Sequence, residues 1–156
     1  MKKFYLQICF ILMTALSFAQ GEKEVNNTEL YNEVKAIADS LVLAKDWKGV
    51  VEYHTKALQY KPNDPISLLV RGNAYLGLGE DMKAYNDFDL LIQLNDQNRT
   101  DYFSRAMAAL NLESEGVCDE RFTKSSICDD LMKAKNLGLP IHGPAFNIFY
   151  SFCPDF

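Results

Sequence analysis

Residues 65 to 98, PISLLVRGNAYLGLGEDMKAYNDFDLLIQLNDQN, set a spacing that recurs along the chain, and this recurrence constrains the fold more than any other feature. The marked positions are Leu68, Gly72, Tyr75, Gly79, Ala84, Phe88 and the apolar pair Leu91 and Ile92. A step of 34 residues back from Leu68, Gly72 and Tyr75 lands on Val34, Ala38 and Leu41, all apolar or small. The same step back from Ala84, Leu91, Ile92 and Leu94 lands on Val50, Ala57, Leu58 and Tyr60. A step of 34 forward reaches Tyr102, Ala106 and Ala109, inside DYFSRAMAALNLE, which has a strong helical pattern. A fixed period of this length marks an array of like units, each burying its apolar face against the next.

The first unit spans residues 31–64. Leu30, Val34, Ile37, Leu41 and Val42 keep helical spacing, with Asn27, Thr28 and Glu29 as candidate caps. Asp46 and Trp47 open a second helix, and Lys61-Pro62-Asn63-Asp64 closes the unit, because proline cannot continue a helix. In the second unit, 65–98, Ala84, Phe88, Leu91 and Leu94 hold one apolar stripe. The third unit spans 99–139. There Ile127, Leu131 and Ala134 repeat the spacing of Ala84, Phe88 and Leu91, but Ala134 lies 77 residues after Ala57, nine more than two periods. An inserted loop within 113–125 absorbs the excess. Leu137 and Gly138 end the last helix, with Pro140 beyond. A final apolar segment, 144–153, reads as a capping helix, which a repeat stack needs to cover its last apolar face.

These residues resemble the tetratricopeptide repeat (TPR), a pair of antiparallel helices. The resemblance implies an all-α fold: a TPR-like helical-hairpin array of about three repeats plus a C-terminal capping helix, over residues 29–156. It assigns Gly72 to a close helix approach, Tyr75 to the gap between helices, Gly79 to the end of the first helix and Ala84 to the helix crossing. The chain departs from the pattern at Leu68, where Trp often stands, at Trp47 in place of Tyr, at Asp81 in place of an aromatic residue, and at Asp96 in place of the closing Pro. Arg71 and Arg105 stand 34 apart where Leu is usual. Their acidic partners would be Asp87 for Arg71 and Asp129 or Asp130 for Arg105; the alternative is a stem on the apolar surface with a hydrated head group.

The resemblance also implies a non-catalytic role, binding a protein or peptide on a concave face lined by the first helix of each pair. Its outward positions here are Asn32, Lys35, Asp39 and Val42, then Ile66, Leu69, Asn73 and Leu76, then Thr100, Phe103, Met107 and Leu110. Partner-binding residues are therefore expected among Lys35, Val42, Ile66, Leu69, Asn73, Leu76, Phe103, Met107 and Leu110. TPR domains that grip a terminal carboxylate use Lys, Arg and Asn there. This chain keeps Lys35 and Asn73, but Asp39 replaces an Asn, and Thr100 and Ser104 replace the basic pair. What remains is a groove with an apolar floor. It serves either a partner or self-coverage, the latter including a self-associating structural subunit, a homodimer for instance.

Lys2 and Lys3 precede an apolar run from Phe4 to Phe18, and Ser17-Phe18-Ala19 supplies small residues before a cut after Ala19. Residues 1–19 therefore read as a cleaved signal peptide and 20–28 as a flexible linker. The run is too short for a span of roughly 20 residues, so no membrane insertion is expected after cleavage. An exported protein, periplasmic or secreted from a bacterium, is the expectation. Without residues 1–19 the chain carries 14 basic and 21 acidic side chains, a formal balance of −7, which disfavours nucleic acid and anionic lipid. Cys118, Cys128 and Cys153 then remain, in a compartment that permits one disulfide and leaves one thiol. Cys128, near the start of a helix, and Cys153, at the end of the cap, meet if the cap packs antiparallel; Cys118 competes for either partner. His54 reads as a core-edge imidazole and His142 as a loop residue, and the acids between Asp119 and Asp130 lack the spacing of a calcium loop. With no phosphate loop and no nucleophile elbow, neither enzyme chemistry, a metal nor a cofactor is expected.

Overall fold

The computed structural model describes residues 27–140, 147 and 150–153. The inferred leader and His142 lie outside these residues. Helix α1 covers 27–43, followed by α2 (Trp47–Tyr60), α3 (Pro65–Leu78), α4 (Asp81–Leu94), α5 (Arg99–Ser114), a 3-10 turn (Glu120–Phe122) and α6 (Lys124–Asn136). No strand occurs among the described residues. Each helix from α2 to α6 packs on its sequence neighbours, so the expected all-α array of helical hairpins is the observed fold. Asn27 and Thr28, read above as the end of a linker, are already helical. Asn27 is half-buried one turn before half-buried Tyr31, so the chain reaches the core face earlier than its polar composition suggests.

Short polar side chains start the helices by accepting from backbone N–H groups left free in the first turn. Asp46 accepts from Gly49 N at 3.1 Å, Asp64 from Ser67 N at 2.9 Å, Asn98 from Thr100 N at 3.1 Å and Thr123 from Ser126 N at 3.3 Å. Gly79, at φ 72°, turns the chain out of α3 in the left-handed region, with Glu80 N donating back to Tyr75 O at 2.9 Å.

The core runs through the stack as Leu68, Ala84, Phe88, Leu91, Ala106, Ala109, Ile127 and Leu131, each almost wholly buried. Gly72 and Phe88 show how one repeat closes. A Cβ at Gly72 would lie 2.8 Å from Phe88 Cε1, so only glycine admits the ring. At the equivalent positions of the other repeats, all buried, a larger first residue goes with a smaller second one: Ala38 with His54, and Ala106 with Leu131. His54 is more deeply placed than a core edge. It is fully buried, with both ring nitrogens unpartnered among the described residues, and burial lowers its pKa from the ordinary 6.5, against the opposing charge of Asp39. The unfolded chain therefore takes up a proton before the folded one does. Stability from this site is fully present above pH 6.5 and declines as pH falls through that value toward the lower folded pKa. The urea midpoint of the parent is expected to drop from neutral to mildly acidic pH. Ala38→Gly with His54→Phe, restoring the pairing of the second repeat, should flatten that drop; an unchanged pH slope would exclude His54 as its source.

The two arginines at unusual positions tie the hairpins together. Arg71 donates to both oxygens of Asp87, at 2.8 and 2.7 Å, and to Thr55 Oγ1 at 3.2 Å. Arg105 donates to both oxygens of Asp130, at 2.8 and 2.6 Å, and also to Asp89. Each guanidinium on the first helix of a pair thus joins the second helix of its own pair to the second helix of the preceding one. Of the two acids open to Arg105, the partner is Asp130, which is buried, while Asp129 is exposed.

The connection between α5 and α6 is pinned rather than loose. Buried Phe122 meets Tyr85 edge to face at 5.0 Å between ring centroids, and Asp119 caps the 3-10 turn by accepting from Arg121 N at 2.9 Å. Residues 150–152 are helical, and Cys153 forms a disulfide with Cys128, with Cα atoms 5.8 Å apart and both cysteines buried. Cys118 is exposed and free.

Candidate partner-binding groove

The nine candidate residues lie on α1, α3 and α5, the first helices of the three pairs. On α3, Ile66 is 54% exposed and Asn73 is exposed, whereas Leu69 and Leu76 are half-buried and pack against the core. On α5, Phe103 also packs against the core, and Met107 and Leu110 are half-buried. The strip is thus the outer edge of the core, offering part of each side chain to solvent. On α1, Val42 is half-buried, and Lys35 Nζ pairs with Asp39 Oδ2 at 2.9 Å. That pair is exposed enough to add little stability, but it matters for recognition: the one basic residue kept from a carboxylate-gripping set already faces an acid. Thr100 is exposed and Ser104 is buried, so neither supplies charge.

One cleft of about 310 Å³ brings two of these positions together with residues from other elements. Its apolar wall is Pro65, Ile66 and Leu69 from α3 with Leu91 and Leu94 from α4. Asn95 and Asn98, between α4 and α5, and Asp101, in the first turn of α5, form the polar side. Leu94 is 41% exposed, so it and Ile66 are two large aliphatic side chains held at the mouth of a single depression. Asp101 is 3% exposed, and its Oδ1 has no hydrogen-bond partner among the described residues. Burial raises its pKa from the ordinary 3.8, opposed by the Asn98 side chain beside it. Lys35, Val42, Asn73, Leu76, Phe103, Met107 and Leu110 do not line this cleft.

Sequence reasoning missed Leu91, Leu94 and Asp101 as groove residues. Both leucines belong to a second helix, whose apolar stripe reads as core. Asp101 reads as an ordinary acid in a first turn; its burial, shared with Ser67 34 residues earlier, is set by the packed structure. Among the described residues no group of three His, Cys, Asp or Glu side chains could hold a metal ion, and no helix is long and apolar enough to cross a membrane.

No protein-family model matches the sequence, and no curated protein matches it. Solved structures do match in fold. The first TPR of Spaghetti (RPAP3), bound to the HSP90 peptide SRMEEVD, aligns with TM-score 0.66 at 18% identity, over 80% of this chain and 90% of that one. The Arabidopsis OM64 TPR domain aligns with TM-score 0.68 at 18% identity, over 83% and 99%. TPR2B of yeast Sti1, in complex with an Hsp70 peptide, aligns with TM-score 0.65 at 15% identity, over 81% and 98%. The fold is that of a tetratricopeptide-repeat domain.

Proposed function

We propose that this chain is an exported, non-catalytic interaction module of a bacterial envelope, an adaptor that holds a segment of a partner protein along its concave face. The observation that carries the reading is the cleft at which Ile66 and Leu94 stand exposed beside Leu69. Exposed aliphatic side chains gathered at one depression, rather than scattered singly, favour a contact there. The peptide-bound TPR domains of similar fold support a protein or peptide as the occupant. The Lys35–Asp39 pair argues against a partner held by its terminal carboxylate. The Cys128–Cys153 disulfide supports an oxidising compartment, in keeping with the leader read at residues 1–19.

Affinity capture from envelope extract tests the reading, comparing the parent with Leu69→Glu/Phe103→Glu/Met107→Glu and with Ile66→Glu, each checked for helicity. Because Leu69 and Phe103 pack against the core, Ile66→Glu is the cleaner variant for the fold. A partner held by the parent and lost by both folded variants is the expected result. A parent that migrates as a dimer and becomes a monomer on Ile66→Glu, with no partner captured, would replace this reading with self-assembly.

A further inference from the structure

Asp101 gives the cleft a polarity opposite to that of a carboxylate-gripping groove. It sits at 3% exposure in the wall of a largely aliphatic depression, and one carboxylate oxygen lacks a protein partner. An ionised carboxylate only accepts hydrogen bonds, and burial disfavours that charged form at Asp101, so a cation arriving in the cleft would be the group that stabilises it. The neighbouring side chains do not provide a cation: the cleft is lined by aliphatic residues, Asn95 and Asn98. Lys35, the one lysine among the expected partner-binding residues, does not line the cleft and is paired with Asp39. An acidic ligand would meet no free positive charge there, and a chain with formal net charge −5 would repel it at long range.

We propose that this cleft receives an aliphatic side chain of a partner's linear segment together with an adjacent lysine or arginine, whose cation pairs with Asp101. This rests on the groove reading above and specifies the chemistry of its occupant. The aliphatic side chain displaces water from Ile66, Leu69 and Leu94. The basic residue supplies the positive charge that the cleft lining lacks and a donor for Asp101 Oδ1, which selects among apolar segments. Asp101→Asn keeps the shape and removes the charge, and its melting temperature is measured beside the parent's to separate binding from folding.

The test is selection of a library of short random peptides on the purified protein, followed by affinity measurement of the enriched peptides. Peptides with Lys or Arg beside an aliphatic residue should be enriched. Asp101→Asn, or exchange of that basic residue for Gln in the peptide, should weaken binding by roughly tenfold or more, and Ile66→Glu should abolish it. Peptides lost on Ile66→Glu but indifferent to both charge exchanges would overturn the basic specificity and leave the groove standing. No enrichment, or binding that survives Ile66→Glu, would overturn both.

Discussion

Asp87→Ala is expected to cost the fold about 3 kcal/mol, at the low end of what is lost when one partner of a buried ion pair is removed. The side chains of Arg71 and Asp87 are 18% and 8% exposed, so some solvent screening remains and the upper end of the range is not reached. Among the described residues the variant leaves Arg71 with only Thr55 as a hydrogen-bond partner, and a half-buried guanidinium recovers little of its hydration. Asp130→Ala should cost less, because Arg105 keeps Asp89. Adding Arg71→Leu to Asp87→Ala should recover much of the loss, since an apolar replacement of the whole pair removes the unpaired charge. Urea unfolding of the four proteins measures all of this. Equal losses for Asp87→Ala and Asp130→Ala would show that the second acid on Arg105 contributes nothing.

Removing the Cys128–Cys153 bridge is expected to cost a comparable amount. The bridge closes a loop over a sequence separation of 25, for which the loop-closure model gives about 3 kcal/mol. The energy is concentrated where the stack ends. Phe152 packs on the core beside the bridge, and cap residues without it would lose their tether to α6. Reductant should therefore lower the melting temperature of the parent and of Cys118→Ala alike, while Cys128→Ala/Cys153→Ala should start low and ignore reductant. A parent insensitive to reductant would place the stability of the last helix in apolar packing alone.

The period of 34 residues, the all-α hairpin fold and the helix stops were legible in the sequence because each depends on neighbours a few residues away. Apolar residues at helical spacing define one face, Asp and Thr satisfy the first-turn N–H groups, and Gly79 and Pro62 cannot continue a helix. The close approach at Gly72 was legible in kind; that Phe88 is its partner, and that Ala38, His54, Ala106 and Leu131 at the equivalent positions are all buried, emerged only from the packed core.

The candidate site divides differently. The resemblance to the TPR pattern placed Lys35, Ile66, Leu69, Asn73 and Phe103 on the outward side of first helices, and register along one helix, a local property, carried that assignment from position to position. The sequence could not say that Lys35 is occupied by Asp39, that Leu69 and Phe103 are half-spent on the core, or that Leu91, Leu94 and Asp101 share a cleft with Ile66. It likewise left Asp129 and Asp130 equal before Arg105, and it paired Cys128 with Cys153 only on condition that the cap packs antiparallel, with Cys118 as a competitor. Periodicity fixes which side of a helix faces its neighbour. The rotation and crossing of one hairpin on the next decide which side chains from different helices come within reach, and only the packed tertiary structure sets those.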